Sequence, residues 1–200
     1  MKRLLAAFSL CLAAITAPNT AFSATPIFGQ QEVSAGDMYE FVASRNPSFP
    51  IEIAYAYHTL GERYGIRGDI ALCQGIIETG WFRFADGTAV TPDQYNFCGL
   101  GVTELGKKGN VFDSIEQGVT AQLQHLFAYA CNESLPEGEE LVDRRFKLVT
   151  RGSAPTWEDL GGRWAMRPTY GDDIMRIFRL MQSHAGIQPE PPMQDEITQE

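Results

Sequence analysis

Glu78 closes a mostly apolar run, ALCQGIIETGWFRFADG from Ala71 to Gly87, and is followed by Thr79, Gly80 and Trp81. A carboxyl at a helix C-terminus faces the negative end of the helix dipole. If Ile77, Trp81 and Phe82 line it as well, desolvation acts in the same direction, and both effects hold the group in its protonated form. A carboxylic acid protonated near neutral pH is what glycoside hydrolysis needs as a general acid. Trp81, Tyr95, Phe97, Trp164 and Tyr170 are aromatic side chains of the kind that stack on sugar faces.

The elements that must hold these residues read as helices. GDMYEFVASRNP is predicted to form a short helix opening near Asp37. Pro50 is placed at the first turn of a second helix running through IEIAYAYHTLGERYG and stopping at Gly65. RGDIALCQGIIETG follows, with Asp69 as candidate N-cap and Gly80 as the stop. Its apolar face is Ile70, Cys73 and Ile77, and Gln74, Glu78 and Trp81 share another face. Residues 82–112 lose helical periodicity and read as loops, with a short hairpin around GLGVTELGKKGNVF. Helix resumes at SIEQGVTAQLQHLFAYA behind a Ser114/Gln117 capping pattern, and again near GEELVDRRFKLV. A short helix capped by Thr156 and Asp159 and a last one in GDDIMRIFRLMQSHAG complete an all-α or α-dominated domain with one small loop lobe.

Both ends differ from this domain. Lys2 and Arg3 precede the apolar run Leu4 to Thr16, and small residues around Ala21–Ala24 follow. That is the pattern of a signal peptide over residues 1–24, and the run is too short for a membrane span. Residues 25–35 read as a flexible lead-in, 36–185 as the α-rich domain, and 187–200 as a disordered acidic tail. Losing Lys2 and Arg3 and no acid would take the net charge of −9 to −11. An acidic chain with no basic stripe is a poor match for nucleic acid or anionic lipid. Cys73, Cys98 and Cys131 follow no metal or redox spacing; they read as small buried hydrophobes in preference to a Cys73–Cys98 bridge. His58, His125 and His184 are scattered, and neither a metal site nor a cofactor site is expected. His125 reads equally as a residue of the cleft or of the core. Trp157, Phe41, Tyr55 and Tyr57 read as packing, and Arg144, Arg145 and Lys147 as a solvated face.

The run Cys73-Gln74-Gly75-Ile76-Ile77-Glu78-Thr79-Gly80-Trp81 resembles the A-Q-x-x-L-E-[ST]-G-W pattern of the glucosaminidase family of bacterial cell-wall hydrolases, glycoside hydrolase family 73. Tyr95-Asn96-Phe97-Cys98-Gly99-Leu100 resembles the N-N-x-F-G-I segment of that family, and WAMRPTYG its terminal Y-[AS]-T-D-P-x-Y motif, over roughly residues 36–182. The resemblance implies a lysozyme-like helical fold with a cleft that binds peptidoglycan glycan strands. It implies cleavage of the β-1,4 bond after N-acetylglucosamine, in an exported, cell-wall-associated protein. By it, Glu78 is the general acid and Tyr170 orients substrate or water, while Asn96 and Phe97 line the acetamido-sugar site. Gln74, Trp81 and Trp164 are the further substrate-binding candidates. Trp164 stands where the family motif has Tyr, and Arg167 where it has Asp. A second carboxylate is sought among Glu104, Asp113 and Asp93, with Glu104 favoured; without one, the substrate's acetamido group would assist. Two rival readings remain. A lytic transglycosylase would use Glu78-Thr79 and leave anhydro-sugar ends, and a non-catalytic wall-binding domain would keep the aromatics without needing Glu78.

Overall fold

A computed structural model describes residues 24–85, 87–102 and 108–188. Among them the fold is five α-helices with isolated backbone bridges and no strand. The helices are α1 (Ala35–Ala43), α2 (Ile51–Tyr64), α3 (Gly68–Thr79), α4 (Ile115–Ala130) and α5 (Tyr170–His184). No described helix is long and apolar enough to cross a membrane.

α3 is the centre. It packs against α2 on one side and α5 on another, while α2 also carries α4. It is therefore buried nearly all round, from Gly68 through Ile76, and not along one stripe. Ile70, Ala71, Leu72 and Cys73 are fully buried, whereas Ile77 is only half-buried. Each fully buried Ile or Leu contributes about 1.5–3 kcal/mol of transfer free energy, so the core around α3 fixes where its terminal residues point. All three described cysteines are free thiols, with Cys73 and Cys98 buried.

The helix ends show how local chemistry set the boundaries. α1 starts two residues before Asp37, because the Ser34 hydroxyl caps Asp37 N–H at 3.2 Å. Pro50 precedes the first residue of α2 and serves as its cap, in extended conformation. Gly65 ends α2 in the left-handed conformation, as expected. Asp69 is not the cap of α3: Arg67 holds that place and Asp69 lies inside the first turn. Ser114 caps α4 by accepting Gln117 N–H at 3.2 Å, and Gln117 Oε1 reaches back to Asp113 N–H at 2.9 Å.

Three further expectations fail. The segment near 138–149 forms only a 3-10 turn at Phe146–Leu148. Gln124 captures its backbone instead, accepting from Val142 N (2.8 Å) and Asp143 N (2.9 Å) and donating to Glu140 O (2.7 Å). The lead-in is pinned: Ile27 is fully buried, and its N–H and C=O bond to Pro155 O and Arg67 N, each at 3.0 Å. Tyr55 is 52% exposed, unlike Phe41, Tyr57 and Trp157, which are core. Residues 103–107 of the expected hairpin lie outside the described residues; on either side of them a backbone bond from Asn110 N to Leu100 O (2.7 Å) and the Asn96 side chain tie the loop.

Candidate active site

Gly80 ends α3 at φ 60°, and the chain stays left-handed through Trp81 (φ 64°) and Phe82 (φ 53°). Such residues cost about 1 kcal/mol or more each and persist only where other contacts hold them. Here Thr79 Oγ1 accepts Phe82 N–H at 2.9 Å, and Asn46 Nδ2 donates to Trp81 O at 3.0 Å and Phe82 O at 3.2 Å. The tight exit leaves Glu78 on the last turn and swings the next two side chains away from it. Trp81 packs on Phe41 of α1, ring centroids 5.3 Å apart, under the Arg45 guanidinium. Phe82 turns inward against Phe49 and Phe97. The helical spacing that put Trp81 on the face of Glu78 does not survive past Gly80. The expected wall of Trp81 and Phe82 beside Glu78 is thus replaced by other residues.

Those residues are Tyr170 and the loop at Gly99. Tyr170, the first residue of α5, donates its hydroxyl hydrogen to Glu78 Oε1 in a short bond. The direction follows from its neighbours. Gln74 Nε2 donates to the same hydroxyl oxygen at 3.1 Å. Gln122 Nε2, from α4, donates to Gln74 Oε1 at 2.8 Å and to Ala71 O at 3.1 Å. Tyr57, from α2, donates to Gln122 Oε1. Each amide in this buried chain is fixed in orientation by the next, and every donor points toward Glu78. Tyr170 is buried, and desolvation together with the nearby Glu78 charge pushes its phenol well above the ordinary range, so it remains a donor.

Glu78 itself is half-buried. Burial raises its carboxyl above the ordinary range; the Tyr170 hydrogen bond and the Arg167 charge pull the other way and only partly offset it. Arg167 is itself paired with Asp173 at 2.9 Å. With Oε1 accepting from Tyr170, the acid proton belongs on Oε2. That oxygen faces Gly99: a carbon built in place of its hydrogen would lie 3.6 Å away. Gly99 has φ 71°, so a side chain there is disfavoured by the left-handed backbone.

Gly99 opens onto a polar cavity of about 180 Å³. Cys98 to Val102, His125, Tyr129, Arg145, Arg163 and Trp164 line it. Trp164 is half-buried and stands edge-on to His125 at 4.9 Å. Arg145 belongs to this wall and not to a solvated face, whereas Arg144 and Lys147 are exposed. A larger cleft of about 520 Å³ lies beside Asn46, Phe82 and Tyr95, and its lining includes neither Glu78 nor Tyr170.

Three expected substrate contacts are corrected by burial. Gln74 has no exposed surface; its amide joins Tyr170 to Gln122. Asn96 is fully buried and closes the loop, donating to Leu100 O at 2.8 Å and Asn110 O at 3.0 Å. Phe97 packs between Tyr57 and Phe82. These residues shape the site from behind. Asp113 is exposed and bonded to Gln117, and Asp93 is exposed, its carboxyl lowered by the Thr91 hydroxyl. Glu104 lies outside the described residues. Gln122 was not anticipated, although a glutamine on the buried face of an amphipathic helix is a signal in itself.

A family model described as mannosyl-glycoprotein endo-beta-N-acetylglucosaminidase, the glucosaminidase family, matches residues 54–183. The chain belongs to the glucosaminidase family. The matched span runs from α2 to the end of α5 and includes Glu78, Gln74, Gln122 and Tyr170. The all-α architecture is that of a lysozyme-like glucosaminidase domain. An uncharacterized protein of Borreliella burgdorferi is 42% identical over 114 residues, which is 57% of this chain and 54% of that protein. The chain thus spans about half the length of that curated relative. No solved structure matches.

Proposed function

We propose that this glucosaminidase domain hydrolyses the glycan strands of peptidoglycan, at the β-1,4 bond that follows N-acetylglucosamine. The observation that carries the reading is the state of Glu78. It is a desolvated carboxyl whose Oε1 accepts from Tyr170 and whose Oε2 lies against Gly99, a residue of the cavity wall. Glu78 acts as the general acid, and its Oε2 proton passes to the leaving glycosidic oxygen. Tyr170 fixes which oxygen carries the proton and stabilises the carboxylate left behind. Gln74 and Gln122 hold Tyr170. Trp164 and Tyr129 offer aromatic surface to the sugar rings. Residues 1–24 act as a signal peptide, so the domain works outside the cytoplasm on the wall.

A transglycosylase reading would give Thr79 a part beside Glu78. Its hydroxyl is buried, donating to Gly75 O at 2.7 Å and accepting from Phe82 N. It is occupied in ending the helix, which favours hydrolysis.

Digestion of purified peptidoglycan, with products weighed by mass spectrometry before and after reduction, tests this. The expected products are water-added fragments ending in reducing N-acetylglucosamine. Anhydromuramyl ends would move the domain to the transglycosylases. Retention on the polymer without products would make it a binding module.

A further inference from the structure

Hydrolysis needs a group to activate water as well as an acid, and neither Asp113 nor Asp93 faces the cavity. We propose that His125, oriented by Asp143, is that group: a general base whose Nε2 takes a proton from the attacking water in the cavity beside Glu78. The proposal rests on the glycosidase reading above.

His125 is on α4 and lines the same cavity as Gly99. Its Nδ1 lies 2.7 Å from Asp143 Oδ2. A carboxylate can only accept, so Nδ1 carries the hydrogen, and in the neutral imidazole Nε2 is the nitrogen with the free lone pair. Asp143 is almost fully buried and is itself held: Oδ1 accepts Arg145 N–H at 2.8 Å, and its own N–H donates to Gln124 Oε1 at 2.9 Å. Trp164 and Tyr129 stand edge-on to the ring at 4.9 and 5.3 Å and limit its rotation. Nε2 has no protein partner among the described residues. It is not a sealed orphan either, since the buried unpartnered side-chain atoms described are Gln31 Oε1, Asn110 Nδ2 and Trp157 Nε1. The residue lines the cavity beside Gly99.

The other titratable groups of the described lining are poor bases. Burial raises the Cys98 thiol and the Tyr129 phenol, and Arg145 and Arg163 are cations. About 180 Å³ holds a water, whose share of the liquid is about 30 Å³, together with part of a sugar ring.

In the step itself, His125 Nε2 removes one water proton and the oxygen bonds to the anomeric carbon. The bond from that carbon to the leaving oxygen breaks with its electron pair. The leaving oxygen takes the proton from Glu78 Oε2. His125 ends as imidazolium and Glu78 as carboxylate, and a proton returned through solvent resets both. Attack from the face opposite the leaving group inverts the centre, so a β bond yields an α reducing end.

The test is the configuration of the first-formed reducing ends, read by proton NMR during hydrolysis of peptide-stripped peptidoglycan oligosaccharides by the wild-type chain. α ends are expected; β ends would overturn the proposal by indicating a covalent or acetamido-assisted route. His125→Ala should lose on the order of 10²–10⁴ in kcat. Azide, a nucleophile that needs no base, should restore part of it and give the α-glycosyl azide. Asp143→Asn should lose less and respond to azide in the same way, which a purely structural pair would not. A folded His125→Ala with wild-type turnover, or one that azide leaves inactive, would contradict the assignment. Release of no reducing ends by wild type would remove the glycosidase reading and this proposal with it.

Discussion

α3 carries an acid near each end, and the two are held in opposite ways. Asp69, in the first turn, is fully buried yet completely compensated. It takes two bonds from Arg67, both 3.0 Å, and accepts the backbone N–H groups of Glu32 and Ile70 at 2.8 and 3.0 Å. Arg67 adds Glu32 at 2.8 Å and the face of Phe178. The helix dipole favours a negative charge at that end. Glu78, in the last turn, faces the unfavourable end, has one hydroxyl donor, and sets its other oxygen against Gly99 at the cavity wall. An acid with its charge matched fastens two parts of the chain together. An acid with its charge left unmatched has a proton to give.

The contrast can be broken from the Asp69 side first, where the largest stability effect is expected. Asp69→Asn leaves Arg67 buried with only Glu32 as counter-charge, and should cost about 3–5 kcal/mol of stability. Urea denaturation would show that loss, while turnover per folded molecule stays near wild type.

Next is the chain behind Glu78. Gln122→Leu strands Gln74 Oε1 and the Tyr57 hydroxyl and removes a second bond from Ala71 O. It should cost about 1–3 kcal/mol and also lower kcat, since Gln74 and Tyr170 are freed to rotate. An unchanged kcat would confine Gln122 to the core.

Tyr170→Phe removes the donor to Glu78 and should slow turnover about tenfold, the equivalent of one hydrogen bond of ~1.4 kcal/mol. Because that bond lowers the Glu78 carboxyl, its loss should move the alkaline limb of the pH–rate profile upward. A profile that stays in place would separate Tyr170 from the acid.

The smallest expected effect is on wild-type stability. The folded carboxyl of Glu78 is raised, so the native state binds more proton there than the unfolded chain does. Its ionisation therefore destabilises the fold as pH rises above the ordinary carboxyl range, up to the raised folded value. Glu78→Gln lacks this penalty. Its melting temperature should match wild type in acid and exceed it increasingly across that window.

The same comparison explains what the sequence made legible. Helices with caps or glycine stops within a few residues could be read because the determinants are local: Ser114 with Gln117, Gly65, Gly80. Glu78 was visible for the same reason. Its surroundings were not, because they come from residues 48 and 92 positions apart in the chain. The face of Trp81 was misjudged by extending helical spacing through a left-handed turn. Gln74 and Asn96 have the right chemistry for sugar, but only packing reveals that their amides bond to protein. The segment before Phe146 had helical periodicity, and the Gln124 side chain took the backbone groups a helix would have paired.

The central claim is that Glu78 supplies the proton. The most direct measurement is kcat of Glu78→Gln on purified peptidoglycan beside wild type, with folding checked by circular dichroism. The account predicts a folded protein that still binds the polymer and has lost on the order of 10²–10⁴ in turnover. A folded variant that cleaves at the wild-type rate would contradict it.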